Sequence, residues 1–264
     1  MARVYFTKSL PQLDLAGWIS FCKDAGIDGL DLAVRPKYPV NPDNAGVQLP
    51  EWSKGLKDAG LIVGLVTAPT DMIEATDKRA LALFEACAKA GVSQIKIGYF
   101  PYSGKYDADV SLGRKRLQGF EKLARSTGVK ACYHTHSGPM LGCHGIGLKA
   151  LLEGFDPHHV GAFLDTGHLA IGGGPFAIES DAVAPWFSIL AIKDMAWTQT
   201  NEVWKARVVP AGKGFVRWKD VSLALKARGF RGVISLHGEY EAEGAANRVQ
   251  IAKDEDRFLK TNGI

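Results

Sequence analysis

Eight short runs rich in β-branched and aromatic residues recur along the chain, each separated from the next by a stretch of helical periodicity. The runs are VYFTKS (4–9), GLDLAVR (29–35), LIVGLVTA (61–68), SQIKIGYF (93–100), KACYHTHS (130–137), GAFLDTGH (161–168), SILAIKDM (188–195) and GVISLHGEY (232–240). Between them lie amphipathic segments such as LAGWISFCKDAG, DKRALALFEACAKAG, GRKRLQGFEKLARSTG and WKDVSLALKARGF. Strands joined through a helix run parallel, and eight such units close on themselves. The pattern therefore predicts a single (β/α)8 TIM barrel domain over residues 1–264. A doubly wound open sheet is the competing arrangement. It would carry a glycine-rich turn after the first strand, where this chain has TKSLPQLD. Gly26, Gly60, Gly91, Gly128 and Gly229 stand where helices need a left-handed residue to stop, and Asp77 and Asp107 where N-caps are expected.

Composition narrows the partners. Of the 264 residues, 46% are hydrophobic and 23% charged, a globular balance. The net charge of +4 comes from scattered Lys and Arg, without the basic blocks that track a phosphate backbone, so no nucleic-acid partner is expected. No apolar run reaches membrane-spanning length, and the opening MARVYFTKSL lacks the apolar core of a signal peptide. The four cysteines show no CxxC spacing, and Cys22 and Cys87 fall in helical stretches as small buried hydrophobes. The expectation is a cytoplasmic protein without membrane association, compatible with a homo-oligomer.

In a barrel, chemistry belongs at the carboxyl ends of the strands, and alternate residues point inward. Where one face of a strand is purely apolar, it packs on the helices and the mixed face looks into the barrel. By this parity His134, His136, Asp165, Lys193, His237 and Glu239 converge on one end, with His168 three residues beyond Asp165. Singly, each has a structural reading: a strand-end histidine is commonly a hydrogen-bonded rim residue, and Asp165-Thr166-Gly167 can simply cap a turn. Their shared parity and shared end argue for a site. Arg35 stands at the top of its strand. Lys96, flanked by Ile95 and Ile97, points inward with Asp31 as its expected structural counter-ion. The loop AWTQTNEVWKARVVPAGKGF after the 188–195 strand is expected over the barrel mouth, where Trp197 would offer its face to a sugar. The alternative is a hairpin packing its own tryptophans. Gly212-Lys213-Gly214 in that loop, with Arg35, leaves room for an anionic substrate.

The motifs GLDLAVRP, YHTHSG, DTGH, AIKD and HGEY make the chain resemble the xylose isomerase-like barrels. These include sugar and sugar-phosphate isomerases and epimerases, inosose dehydratases and the endonuclease IV branch. The resemblance implies a divalent metal, held in the family by Glu, Asp, His and Glu from the last four strands. Here His134 stands at the first of these positions, Asp165 matches the second, Ala191 replaces the third, and His237 falls on the fourth, or Glu239 if the register moves by two. A His134, Asp165 and His237 site implies Mn, Fe or Zn, with Mg as a further candidate. The resemblance also implies proton abstraction beside the carbonyl of a small carbohydrate. In this sequence Lys193 would stabilise the developing oxyanion, Glu239 or His237 would act as base, and Arg35, His136, His168 and Trp197 would contact substrate. The family's paired glutamates are altered, so its epimerase mechanism is not carried over intact. The expected activity is a sugar or keto-sugar isomerase or epimerase. The alternatives are a lyase or dehydratase on a keto-sugar or keto-glycoside, and a non-catalytic sugar-binding relative. Ala191 and the mild charge count against a DNA-repair nuclease.

Overall fold

The computed structural model describes residues 1–240 and 244–264. Strands β1 (Arg3–Phe6), β2 (Gly29–Ala33), β3 (Ile62–Thr67), β4 (Gln94–Lys96), β5 (Lys130–His134), β6 (Val160–Asp165) and β7 (Phe187–Ile192) precede a hairpin, β8 (Asp194–Thr200) and β9 (Val203–Val209), and a last strand, β10 (Val233–Leu236). Helices α1 (Leu15–Ala25), α2 (Ala45–Asp58), α3 (Lys78–Ala90), α4 (Tyr106–Thr127), α5 (Gly145–Leu152), α6 (Thr166–Gly172), α7 (Phe176–Ala182), α8 (Trp218–Ala227) and α9 (Gly244–Thr261) lie between and after them. The sheet closes in the order β1-β10-β7-β6-β5-β4-β3-β2, so the expected eight-stranded barrel is present. Its neighbouring strands pair in parallel. None of the described helices is long and apolar enough to cross a membrane.

The inward parity also holds. Val4, Leu65, Cys132, Phe163, Ile189 and Ala191 form a fully buried cluster inside the barrel, distinct from the larger apolar layer between sheet and helices. This plug closes the barrel below the strand ends and leaves the polar residues of the same parity above it.

Helix boundaries follow local chemistry. Asp14 caps α1 through the Gly17 amide and Asp77 caps α3 through the Arg79 amide, each satisfying a donor the first turn leaves free. Asp107 does not cap. Helix α4 begins at Tyr106, so Asp107 sits inside the first turn. There Asp109 instead accepts the Ser103 amide and hydroxyl, both at 2.7 Å. Gly26, Gly91 and Gly128 end α1, α3 and α4 in the left-handed conformation. Gly60 and Gly229 do so one residue beyond the C-cap.

The loop expected over the mouth is the β8–β9 hairpin, paired antiparallel from Asp194↔Val209 to Thr200↔Val203. Its root is tied by the fully buried Asp194 carboxylate. One oxygen accepts the amides of Met195 (2.9 Å) and Val216 (3.0 Å). The other accepts the amides of Gly212 (2.9 Å) and Gly214 (3.0 Å) and the Trp218 indole N–H (3.0 Å). The Gly212 and Gly214 amides are thus spent on Asp194 and the Lys213 amide on the Pro210 carbonyl, so none serves a phosphate. Trp197 stacks on Phe215 with ring centroids 5.9 Å apart and stays exposed, away from the barrel cavity. The hairpin packs this tryptophan on its own root.

Candidate active site

At the carboxyl ends of the barrel strands lies a small cavity that opens to solvent. Arg35, His134, His136, Lys193, His237 and Glu239 line it, as parity predicts. Phe6, Lys8, Lys96 and Tyr99 line it as well.

Asp165 organises the floor. It ends β6, and its Oδ1 accepts the amides of Gly167 (2.9 Å) and His168 (3.0 Å), starting α6. This places His168 in a helix rather than a loop. Asp165 Oδ2 faces Lys193 Nζ at 3.4 Å, His134 Nε2 at 3.5 Å and His237 Nδ1 at 3.9 Å. Burial by itself would raise the Asp165 carboxyl, but Lys193 and the surrounding imidazoles outweigh it and hold it well below the usual carboxylate range.

His134, Asp165 and His237 each offer a ligand atom, and the three atoms lie within 4.8 Å of one another. All three side chains are buried, and His134 Nε2, Asp165 Oδ2 and both nitrogens of His237 lack hydrogen-bond partners among the described residues. Buried lone pairs left in this way cost free energy unless a ligand uses them. Burial holds His134 well below the ordinary histidine range, in the neutral form that coordinates metals. Its Nδ1 meets the Tyr99 hydroxyl at 3.0 Å, an outer contact that fixes the ring with Nε2 toward Asp165. Phe6 stacks on His237, centroids 4.6 Å apart. The donor set therefore fits a divalent ion with three protein ligands. Its nitrogen content suits Zn, Fe or Mn better than Mg. Ala191 belongs to the apolar plug and contributes no ligand.

Lys193 stands above this set. Its ammonium reaches Glu239 at 2.7 Å and His168 Nε2 at 3.1 Å. Burial pushes His168 down to about 3, so its ring is neutral. It accepts from Lys193 at Nε2, which puts its own proton on Nδ1, 2.8 Å from Ser137 Oγ. Burial opposes the Lys193 charge, yet Asp165 and Glu239 raise it above the ordinary lysine range. Glu239, ion-paired with both Lys193 and Lys8, is held far below the usual carboxylate range although burial opposes this. Such a carboxylate is a poor proton acceptor, which departs from its expected part as base.

His136 follows β5. Its Nδ1 meets the Ser137 carbonyl at 2.6 Å, so that nitrogen carries the proton and Nε2 is left as an acceptor on a ring that lines the cavity. Burial lowers its pKa and keeps the ring neutral. His136 and His168 pack with centroids 4.0 Å apart.

The expected Lys96–Asp31 pair does not form. Asp31 accepts from the Thr67 and Ser235 hydroxyls, both at 2.7 Å, and its Oδ2 lies 3.6 Å from His237 Nε2. Lys96 Nζ instead stands 3.5 Å from the Tyr99 ring centroid. Strand parity alone reaches Phe6 and Lys8, which follow Val4 at intervals of two. Tyr99 and Ser137 fall off the inward parity set by Lys96 and by Cys132, His134 and His136, so alternation does not reach them.

The family model described as "Xylose isomerase-like TIM barrel" matches residues 19–262. An inosose dehydratase of Lactiplantibacillus plantarum is 27% identical over 167 residues, 57% of this chain and 53% of that protein, so the chain spans about half the length of this curated relative. Among solved structures, an IOLI protein with a bound zinc atom aligns with a TM-score of 0.82 at 17% identity, covering 100% of this chain and 99% of its own. The 3-keto-D-glucoside 4-epimerase YcjR of E. coli aligns with a TM-score of 0.76 at 17% identity, covering 99% of each chain. The probable 3-DHS dehydratase AsbF of Bacillus anthracis gives 0.76 at 17% identity, covering 98% of this chain and 99% of its own. At such identities the solved structures share the fold. With the family model matched over nearly its whole length, the chain belongs to the xylose isomerase-like TIM barrel family.

Proposed function

We propose that the chain is an enzyme that removes a proton from the carbon beside the carbonyl of a sugar or keto-sugar, giving isomerisation or epimerisation. One observation carries this reading. A neutral imidazole with a free accepting nitrogen (His136) and a buried ammonium (Lys193) line one cavity with His134 and His237, whose unpartnered nitrogens lie beside the Asp165 carboxylate beneath it. His134, Asp165 and His237 would hold a divalent ion, which when bound supplies Lewis acidity toward a carbonyl or adjacent hydroxyl oxygen.

The protein's own groups divide the remaining work. His136 Nε2 takes the proton. The Lys193 ammonium stabilises negative charge developing on the substrate oxygen, and Glu239 and His168 keep that ammonium charged and aimed. Return of the proton to the adjacent carbon, with the hydroxyl proton passing from one oxygen to the other so that the carbonyl moves, isomerises; return to the opposite face of the same carbon epimerises. The epimerase among the similar structures supports this class of chemistry.

A second reading is dehydration. Glu239 is taken by two lysines, so among the described residues no second free carboxylate lines the cavity with His136. Elimination needs a single base, plus an acid for the departing hydroxyl. His136 would remove the α-proton, the β-carbon–oxygen bond would break, and a proton from Lys193 would leave with the hydroxyl as water. The inosose dehydratase match favours the same outcome.

Incubating the zinc- or manganese-loaded protein with keto-sugars in deuterium oxide separates these readings by NMR. Deuterium at the α-carbon with an isomeric product is the expected result, and an enone product with loss of water selects the dehydratase. Saturable sugar binding with neither exchange nor turnover refutes both and marks a non-catalytic sugar-binding protein.

A further inference from the structure

Arg35 and Lys96 flank β3 at the barrel mouth, one just past β2 and the other ending β4, across the barrel from β7 and Lys193. Both line the cavity, with Thr67 of β3 between them. Arg35 Nε and Lys96 Nζ are buried and have no hydrogen-bond partner among the described residues. Neither forms an ion pair with a described acidic residue. Asp31, the nearest candidate on these strands, is taken by Thr67 and Ser235. Glu239, the one carboxylate lining the cavity among the described residues, is already shared by Lys8 and Lys193. Among the described residues, four Lys and Arg side chains thus line a cavity with a single lining acid, and a divalent ion on the opposite side would widen the imbalance.

Two buried basic donors without hydrogen-bond acceptors among the described residues, Lys96 having only the Tyr99 ring face, are costly unless something supplies the anion. We infer that Arg35 and Lys96 form a subsite for an anionic group, a carboxylate or a phosphate, carried by the substrate at the end remote from its reacting carbonyl. Arginine and lysine are the side chains that bind such groups by charge-assisted hydrogen bonds. Burial, and then the neighbouring Arg35 charge, hold Lys96 well below the ordinary lysine range, and an anion bound beside both groups would raise it. The inference rests on the cavity being the reaction site and narrows its substrates to sugar acids or sugar phosphates.

Calorimetric titration with a matched set tests it: D-fructose (neutral), D-fructuronate (carboxylate) and D-fructose 6-phosphate (phosphate). The wild type is expected to bind one of the anionic probes about tenfold or more tightly than D-fructose, and the preferred anion identifies the group. Arg35→Gln and Lys96→Met are each expected to abolish that preference, read as the ratio of anionic-probe to D-fructose affinity within the same variant. Equal affinities in the wild type, no saturable binding of either anion, or an undiminished preference in Arg35→Gln overturns the inference. If Lys96→Met fails to fold, the half-buried Arg35→Gln carries the test alone. Binding is read without turnover, so anion preference without α-proton exchange sinks only the proposed reaction. Turnover of neutral keto-sugars without anion preference sinks only the subsite.

Discussion

Asp165 divides its carboxylate between structure and site, since Oδ1 starts α6 while Oδ2 faces Lys193, His134 and His237. The two parts separate by substitution. Asp165→Asn keeps an oxygen for the helix cap but removes the charge. Zinc retained after dialysis, measured by mass spectrometry, is expected to fall at least about tenfold while the melting temperature stays close to wild type. Asp165→Ala also loses the cap, a further cost of about 1 kcal/mol in chemical denaturation. Lys193 is the second telling residue. Lys193→Met is expected to lower kcat about 100-fold or more with a smaller change in KM, because the ammonium acts on charge that develops during reaction. An unchanged kcat removes Lys193 from the mechanism. Strand parity made both residues legible. The pairing of Lys193 with Glu239, and of His168 with Ser137, was not legible, because each contact joins segments that follow different strands.

At the scale of elements, the β8–β9 hairpin shows where periodicity fails. Much of β8 and β9 is exposed, so the pair leaves no hydrophobic alternation to mark it as strand. What holds it is Asp194, buried at the root with acceptors for five donors. Asp194→Asn turns an amide NH2 toward backbone N–H groups. It is expected to cost about 2–4 kcal/mol, read as a lower urea midpoint. Gly214→Ala is expected to do similar harm. A Cβ there would fall 2.2 Å from the Met195 carbonyl oxygen and 2.3 Å from Asp194 Oδ1.

For the whole molecule, α9 is locked to the end of the hairpin and to the segment after β10 by Glu255. That side chain accepts the Ala211 amide (2.9 Å) and the Tyr240 hydroxyl (2.8 Å). Burial pushes its carboxyl up from 4.5 to about 7. The folded chain therefore holds a proton that the unfolded chain releases near pH 4.5. Stability from this group is fully present below pH 4.5 and is lost as pH rises through about 7. Glu255→Gln carries no ionisable proton there. Its stability relative to wild type is expected to improve by about 1–3 kcal/mol between pH 5 and 8, measured by urea denaturation. A constant difference across that range refutes the assignment.

Local periodicity, by itself, determined the alternation of strands and helices, hence the closed barrel. It also determined the inward parity that brings His134, Asp165, Lys193 and His237 to one end. These follow from backbone geometry within each element, which repeats every two or 3.6 residues whatever the rest of the chain does. Only the tertiary structure decided which charge meets which. Asp31 serves Thr67 and Ser235 rather than Lys96, Glu239 joins Lys8 across 231 residues of chain, and the glycine amides after β9 turn to Asp194. Trp197 packs on Phe215 instead of over the cavity. The physical reason is that such pairings depend on barrel closure and on where each loop leaves its strand, and those distances are set between elements rather than along them.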